Sequence, residues 1–252
     1  MNMNMQDALG VMADNNNDLS TYVDIVFVID GTGSMQPLIN KVKTLTLSLH
    51  EKLEEGLREN KRRIDNLRAK VIVFRDYYVD GNAAMEESVF FELPDANNKF
   101  HDFVSNITAS GGGDEPESGL EALALALRSD FITGGDRQRH VIVLFTDASA
   151  HRYEKQNEGV PDNYPSNMFR SLDDLYRTWG TGQDALGVES NNMTPQMSKK
   201  AKRLVLFAPD VYPWKEIDEN FENTMRREMN KGNGGAELDI DDIIKMLSCS
   251  IA

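Results

Sequence analysis

The chain has 252 residues, of which 40% are hydrophobic, so it can bury the core of one large α/β domain and is not disordered over most of its length. Its formal charge of −14 at pH 7 disfavours nucleic acid as the main partner, because an acidic surface repels phosphates. The single cysteine, Cys249, excludes an internal disulfide and favours a cytoplasmic location.

Residues 1–20 are rich in Asn, Asp and Met and are predicted to form a flexible arm. They lack the basic and apolar regions of a secretory signal, and no run in the chain approaches the roughly 18 apolar residues of a membrane helix. We therefore expect a cytoplasmic protein without membrane insertion. Residues 21–252 show no internal repeat or long linker and are predicted to form a single domain with a helical C-terminal extension.

The first half of this domain alternates between strand and helix patterns. Tyr22–Asp30 is a continuous apolar run, typical of a central parallel strand that is covered on both faces. Met35–Gly56 carries apolar residues at helical spacing and predicts one helix, with Pro37 in its first turn. The following patterns predict strands at Ala69–Tyr77 and Val89–Glu92 and a helix at Asn97–Asn106.

The second half continues the alternation. A glycine-rich loop, Ser110–Pro116, leads into a helix predicted at Glu117–Arg128. The remaining predicted elements are strands at His140–Asp147 and Arg203–Pro209 and helices near Met168–Thr178, Trp214–Asn230 and Asp239–Ser248. Strands that alternate with helices indicate βαβ units. The predicted fold class is therefore α/β, with a doubly wound, mostly parallel sheet and helices on both faces.

Polar residues cluster where ligands bind in doubly wound sheets, beyond the carboxyl ends of the strands. Side chains that offer only oxygen atoms favour Mg²⁺, Ca²⁺ or Mn²⁺ over zinc. Gly31 and Gly33 are expected to permit a tight turn that lets neighbouring side chains face one point. The three clusters are Asp30-Gly-Thr32-Gly-Ser34, the glycine loop with Asp114, Glu115 and Glu117, and Thr146-Asp147.

Each cluster alone also has a simpler explanation. The Asp-Gly pair is common in turns, Ser34 is a suitable N-cap for the helix that follows it, and Asp147 is a suitable cap for a short helix after the strand. All three clusters, however, lie at strand ends and offer the same oxygen chemistry. The sequence therefore favours one shared metal site.

Phosphate-binding motifs fit this region poorly. A Walker loop ends in Gly-Lys-Ser or Gly-Lys-Thr, and neither tripeptide occurs in the chain. A dinucleotide fingerprint needs a third glycine where this chain has Gln36. The phosphate loop of actin-like sugar kinases joins two strands of a hairpin, whereas a helix pattern begins here within two residues of Ser34.

The three clusters, in this order, resemble the von Willebrand factor A family. Its metal-ion-dependent adhesion site combines a D-x-S-x-S motif, a threonine from a second loop and an aspartate from a third. Asp30, Thr32 and Ser34 match the first motif, with threonine in place of the first serine, and Thr146-Asp147 is similar to the third. The resemblance extends from Tyr22 to about Pro209.

The second loop departs from the family pattern and reads Gly-Gly-Gly-Asp-Glu-Pro-Glu. Together with VFRDY and TDASAH, it resembles a branch found in bacteria and in chains linked to α-kinases. The segment LVLFAPDVYPW is similar to members from tellurium-resistance and stress operons. By this resemblance Asp114 replaces the threonine ligand, with Glu115 as its substitute, and Thr146 and Asp76 are accessory residues.

The resemblance implies binding rather than catalysis: a metal-dependent protein–protein interaction module of bacterial stress signalling. It implies Mg²⁺, with Mn²⁺ or Ca²⁺ as alternatives, and a partner protein whose Glu or Asp carboxylate completes the coordination. The hydroxyls of Thr32 and Ser34 are expected to contact the metal directly, and Asp30 and Asp147 mainly through water. One alternative left open is a metal-dependent hydrolase or phosphoryl-transfer enzyme, which needs a general base such as His151. The other is a purely structural metal, or an empty site, in a scaffold protein.

Overall fold

The computed structural model of the chain describes residues 19–58, 62–112, 115–188 and 197–252. The predicted flexible arm at residues 1–20 therefore falls almost entirely outside the described residues. No helix in these described ranges is long and apolar enough to span a bilayer.

The described residues form one seven-stranded sheet in the order β3-β2-β1-β5-β6-β7, with β4 also paired to β2. Strands β2, β1, β5, β6 and β7 lie side by side in that order and run parallel. Strands β3 and β4 both pair with β2 in the antiparallel direction. This confirms the predicted mostly parallel α/β sheet. The strands are β1 (Thr21–Asp30), β2 (Asn66–Phe74), β3 (Met85–Glu87), β4 (Phe91–Leu93), β5 (Arg137–Phe145), β6 (Lys202–Ala208) and β7 (Thr224–Glu228).

Helices cover both faces of the sheet. Successive side chains of β1 point to opposite faces, so Phe27 joins one apolar core and Val28 the other. Helices α1, α2, α3 and α7 pack on the face of Phe27, and α4, α5 and α6 pack on the face of Val28. The helices are α1 (Gln36–Thr46), α2 (Leu49–Arg58), α3 (Asn97–Ser105), α4 (Gly119–Leu127), α5 (Leu172–Thr181), α6 (Trp214–Asn220) and α7 (Ile240–Ile251).

The single helix predicted at Met35–Gly56 is wrong, because the chain forms α1 and α2 with a break between Thr46 and Leu49. The hydroxyl of Thr44 donates to the carbonyl of Asn40, and that of Thr46 donates to the carbonyl of Lys43. Such bonds from side chain to backbone compete with regular helix geometry. Pro37 does lie in the first turn of α1, as predicted.

The helix predicted at Trp214–Asn230 is correct only in its first part. Helix α6 ends at Asn220, and the chain then forms strand β7, which pairs in parallel with β6. Asn223 has a φ of 61°, a left-handed conformation that interrupts a right-handed helix. The apolar residues of this segment recur at helical spacing, which explains why the sequence pattern misled.

The second strand lies three residues earlier than the predicted Ala69–Tyr77, because β2 spans Asn66–Phe74. Asp76 instead begins a turn, in which its carbonyl accepts the N–H of Asp80 at 2.8 Å. The three-residue strand β3, which pairs with the end of β2, was not predicted. Strand runs this short carry too few residues to show an alternating pattern.

Candidate functional site

Asp30 is the last residue of the central strand β1, so it lies at the carboxyl end of the sheet, and its side chain is fully buried. Its Oδ1 accepts hydrogen bonds from the N–H and the hydroxyl of Thr32, at 2.9 and 2.6 Å. Its Oδ2 accepts a 2.7 Å bond from the hydroxyl of Thr146, which follows the neighbouring parallel strand β5. Asp30 therefore fixes two hydroxyls with its two oxygens.

The first and third sequence clusters meet through Ser34 and Asp147. The hydroxyl of Ser34 donates a 3.0 Å bond to Oδ1 of Asp147 and lies 3.4 Å from the hydroxyl oxygen of Thr32. Ser34 does not act as a helix cap, and no helix begins directly after Asp147. The structure thus brings together Asp30, Thr32, Ser34, Thr146 and Asp147, as the joint metal-site interpretation requires.

A cavity of about 200 Å³ opens at this cluster. Its polar lining includes Thr32, Ser34, Asp147 and Glu117. Gly112 closes one side with a φ of +67°, and a Cβ there would lie 2.6 Å from Thr32 and 2.7 Å from Glu117. Only glycine fits at this position, so the glycine-rich loop shapes the cavity.

Glu117 is the main residue of this site that the sequence did not single out as a ligand. Its side chain is 4% exposed, and its Oε2 has no hydrogen-bond partner among the described residues. Burial, together with the negative charges of Asp30, Asp76 and other nearby carboxylates, raises the pKa of Glu117 to about 8. A signal was available, since Glu117 belongs to the second polar cluster and is the first residue of the helix predicted at Glu117–Arg128.

The pKa of Asp30 also reflects negative potential in the site. Burial raises the pKa of Asp30 to about 6, against the opposing effect of the hydrogen bonds from Thr32 and Thr146. The charge of Asp147 acts in the same direction as burial. A bound cation would relieve this potential, because an opposite charge nearby favours ionised carboxylates.

The donor set fits a hard cation if hydroxyl oxygens take part. Among the described residues, no group of three or more His, Cys, Asp and Glu side chains is placed so that it could hold a metal ion by itself. Thr32 and Ser34, however, donate their hydroxyl hydrogen bonds to Asp30 and Asp147, which leaves lone pairs on the hydroxyl oxygens free. Such oxygen atoms suit Mg²⁺, Ca²⁺ and Mn²⁺.

Of the two acidic residues that the sequence favours as second-loop ligands, the structure describes only Glu115. Asp114 lies outside the described residues. Glu115 lies at the rim of the cavity, where its Oε2 is 2.7 Å from the ammonium of Lys231 and accepts a 3.0 Å bond from the hydroxyl of Ser149. Its charge is therefore already balanced by a basic side chain.

Asp76 and His151 form a buried pair that is not among the residues lining the cavity. His151 Nε2 lies 3.2 Å from Asp76 Oδ1, without the alignment of a hydrogen bond. Asp76 also accepts bonds from the N–H of Tyr78 at 2.9 Å and the hydroxyl of Ser118 at 3.4 Å. Burial alone would raise the pKa of Asp76, but His151 and these bonds lower it overall.

Arg75 anchors the glycine-rich loop over β1. Its guanidinium donates to the carbonyls of Ser110, Ala83 and Thr108 at 2.8, 2.8 and 2.7 Å. A Cβ on Gly31 would lie 3.1 Å from this guanidinium and 2.7 Å from Val73. The expected turn role of Gly31 and Gly33 needs correction, since neither has a positive φ and Gly31 is required by close packing.

Two further segments hold Asp147. The indole N–H of Trp214 donates a 2.8 Å bond to the carbonyl of Ala148, beside Asp147. The N–H of Gly234 donates a 2.7 Å bond to Oδ2 of Asp147, and that of Gly232 donates a 3.0 Å bond to its carbonyl. The loop that leads to α7 therefore contacts the site directly.

Comparisons with known proteins point in the same direction as the geometry. A family model for the von Willebrand factor A domain matches residues 90–162, which include the second and third loops of the site. The chain is 29% identical over 158 residues to the alpha-protein kinase vwkA of Dictyostelium discoideum, covering 62% of this chain and 23% of that protein. The chain thus spans less than a quarter of that relative. These matches support a von Willebrand factor A domain.

Solved structures show the fold. PilB minor pilin from Streptococcus sanguinis matches with a TM-score of 0.50 and 14% identity, covering 93% of this chain and 63% of that chain. The pilus adhesin SpaC from Lactobacillus rhamnosus GG matches with a TM-score of 0.48 and 12% identity, covering 92% of this chain and 30% of that chain. The likeness to PilB shows the α/β fold alone, and the likeness to SpaC supports no further conclusion.

Proposed function

We propose that this von Willebrand factor A domain is a metal-dependent protein-interaction module. The observation that carries the proposal is the pairing of two hydroxyls with two carboxylates at the cavity: Thr32 with Asp30, and Ser34 with Asp147. The hydroxyls of Thr32 and Ser34 each donate a hydrogen bond to a carboxylate, so both hydroxyl oxygens can present lone pairs to the same cation.

In this proposal Thr32 and Ser34 would hold Mg²⁺, Mn²⁺ or Ca²⁺ through their hydroxyls. Asp30 would not bind the cation directly but would orient the hydroxyl of Thr32, because its two oxygens already accept hydrogen bonds from Thr32 and Thr146. When bound, the cation supplies a positive charge to which a carboxylate can coordinate. A Glu or Asp side chain of a partner protein is the ligand that fits this chemistry. The cation is needed for this contact because the formal charge of −14 otherwise repels acidic partners.

An enzymatic function has less support. His151, the candidate general base, is 8% exposed and paired with Asp76 outside the cavity. The kinase activity in the name of the Dictyostelium relative cannot be carried over, because the aligned residues form 23% of that protein. The stress-signalling context and the cytoplasmic location implied by the sequence remain predictions.

A pull-down with the full chain as bait, compared in Mg²⁺ and in EDTA, tests the proposal. Proteins bound by the wild type in Mg²⁺ should be lost in EDTA and with Asp30→Ala. Because Asp30 is buried and removing it affects folding, Ser34→Ala serves as a second variant on an exposed residue. Capture that is unchanged by EDTA and by both substitutions would contradict a metal-dependent module.

A further inference from the structure

Glu117 is held rigidly at the entrance to α4. Its N–H donates a 3.0 Å bond to the carbonyl of Ser149, and its carbonyl accepts a 2.9 Å bond from the N–H of His151. These bonds, with the isolated bridge to Ala150, fasten the backbone of Glu117 to the loop that follows Asp147. Two parts of the site are therefore fixed to each other by main-chain contacts.

The side chain of Glu117 points towards the same space as the hydroxyls. It lines the cavity together with Thr32, Ser34 and Asp147. The steric limit at Gly112, where a Cβ would meet both Thr32 and Glu117, places these two side chains on either side of one glycine. Glu117 is 4% exposed, yet no ion pair reaches it and its Oε2 has no partner within the described part of the chain.

An unpaired carboxylate in a buried position is unfavourable, and proteins retain one where a ligand completes its interactions. The basic side chain at the rim, Lys231, is engaged with Glu115 instead. Several carboxylates near Glu117, including Asp30, Asp76 and Asp80, add negative potential at its side chain. A divalent cation in the cavity is the ligand that satisfies both the free oxygen and the surplus negative charge.

We infer that Glu117 is a direct carboxylate ligand of the cation, in the role for which the sequence favoured Asp114. The inference rests on the proposed function of the site and adds to it how the cation is held. With Thr32 and Ser34 as the only direct ligands, the cation would depend on a partner's carboxylate. With Glu117 as a third, charged ligand, the chain retains the cation before any partner binds.

The test is isothermal titration calorimetry of Mg²⁺ and of Mn²⁺ into the metal-stripped full chain. Glu117→Gln, which keeps the shape of the side chain, should weaken binding roughly tenfold or more, because affinity depends on the number of charged ligands. The matched control is Glu121→Gln, one turn further along α4. Glu121 is also buried with an unpaired Oε2, but Tyr164 binds its Oε1 outside the cavity. Its substitution should leave cation affinity unchanged within about twofold.

Thermal unfolding provides a readout that a purely structural role would not reproduce. In EDTA, Glu117→Gln should melt at or above the temperature of the wild type, since it removes a buried carboxyl group whose Oε2 has no partner among the described residues. In Mg²⁺ the order should reverse, because the variant gains less from the cation. A variant that is less stable than the wild type by the same amount in both conditions would overturn the inference.

The outcomes separate this inference from the proposed function. If the wild type binds neither cation, the proposed function itself fails. If the wild type binds, Ser34→Ala loses binding and Glu117→Gln retains it, the inference alone fails. The inference also fails by itself if Asp114→Asn or Glu115→Gln weakens binding while Glu117→Gln does not.

Discussion

Ser34 and Asp147 lie 113 residues apart in the sequence, yet the hydroxyl of Ser34 donates a 3.0 Å hydrogen bond to the carboxylate of Asp147. The parallel pairing of β1 with β5 brings the two residues together, because both strands end at the same edge of the sheet. The bond joins the first and third polar clusters of the sequence at an exposed position, where a single substitution can test the site.

Ser34→Ala should remove the stabilisation that Mg²⁺ gives to the folded chain. Without cation, the loss of one partly exposed hydrogen bond should lower the free energy of unfolding by only about 1 kcal/mol. Thermal unfolding with Mg²⁺ and with EDTA measures both effects. Ser149→Ala, whose hydroxyl bonds Glu115 at the rim, is the control and should keep most of the response to Mg²⁺. An equal response to Mg²⁺ in Ser34→Ala and the wild type would argue against a hydroxyl ligand.

Gly234→Ala should destabilise the chain much more than Gly232→Ala. Both glycines have a positive φ, +58° and +69°, so both alanines are strained by about 1 to 2 kcal/mol. At Gly234 the new Cβ would also lie 1.9 Å from the carbonyl oxygen of Ser34, whereas at Gly232 nothing lies within 4 Å. We expect a further loss of at least about 2 kcal/mol for Gly234→Ala in urea unfolding. Equal losses for the two variants would contradict close contact between this loop and Ser34.

Glu121 should make stability fall as the pH rises. Burial raises the pKa of Glu121 to about 7, against the effect of the bond from the hydroxyl of Tyr164. The folded chain therefore holds this proton more tightly than the unfolded chain, whose carboxyl has a pKa of about 4.5. The protonated carboxyl of Glu121 therefore contributes roughly 3 kcal/mol to the free energy of unfolding below about pH 4.5, and this contribution is lost as the pH rises towards 7.

Glu121→Gln should remove this part of the pH dependence and raise the free energy of unfolding at neutral pH. Urea unfolding from pH 4.5 to 8 measures the change, with Glu55→Gln on the exposed face of α2 as the control. If the profile of Glu121→Gln followed that of the wild type across this range, the carboxyl of Glu121 would not titrate there.

Trp214→Phe should weaken both the fold and the response to cation. The phenylalanine keeps ring packing but leaves the carbonyl of Ala148 without its 2.8 Å bond, which should cost about 1 to 3 kcal/mol. Trp179→Phe is matched to it, since the indole of Trp179 donates a 3.0 Å bond to the carbonyl of Glu222, a residue outside the cavity lining. Melting with and without Mg²⁺ should show similar losses without cation, and a smaller Mg²⁺ response for Trp214→Phe alone.

The central strands and the layered fold could be predicted because their signals are local and strong. Buried parallel strands such as β1 read as continuous apolar runs, and their polar ends mark one edge of the sheet. Strand β7 was missed because it lies at the edge of the sheet, where Met225 is 36% exposed and the pattern of a buried strand is absent. Its identity depends on pairing with β6, which no local pattern reveals.

The first and third clusters of the site were predicted from their position at strand ends and from a family resemblance. The second loop was less predictable, since several acidic residues stand close together in the glycine-rich segment. Which of them faces the cavity depends on how the loop enters α4, and the structure directs Glu117 there and leaves Glu115 with Lys231. The roles of Arg75 and of the Gly234 loop depend on contacts between distant segments.

The loop at Gly232 and Gly234 makes the geometry around Asp147 depend on a segment near the C-terminal end of the fold. Its two N–H groups complete the surroundings of Asp147, more than 80 residues after it in the sequence. A ligand that needs all of these atoms therefore has no affinity for the unfolded chain. Binding of this ligand raises the free energy of unfolding, and the increase grows with the logarithm of the ratio between ligand concentration and dissociation constant. Protease resistance should consequently follow the supply of that ligand.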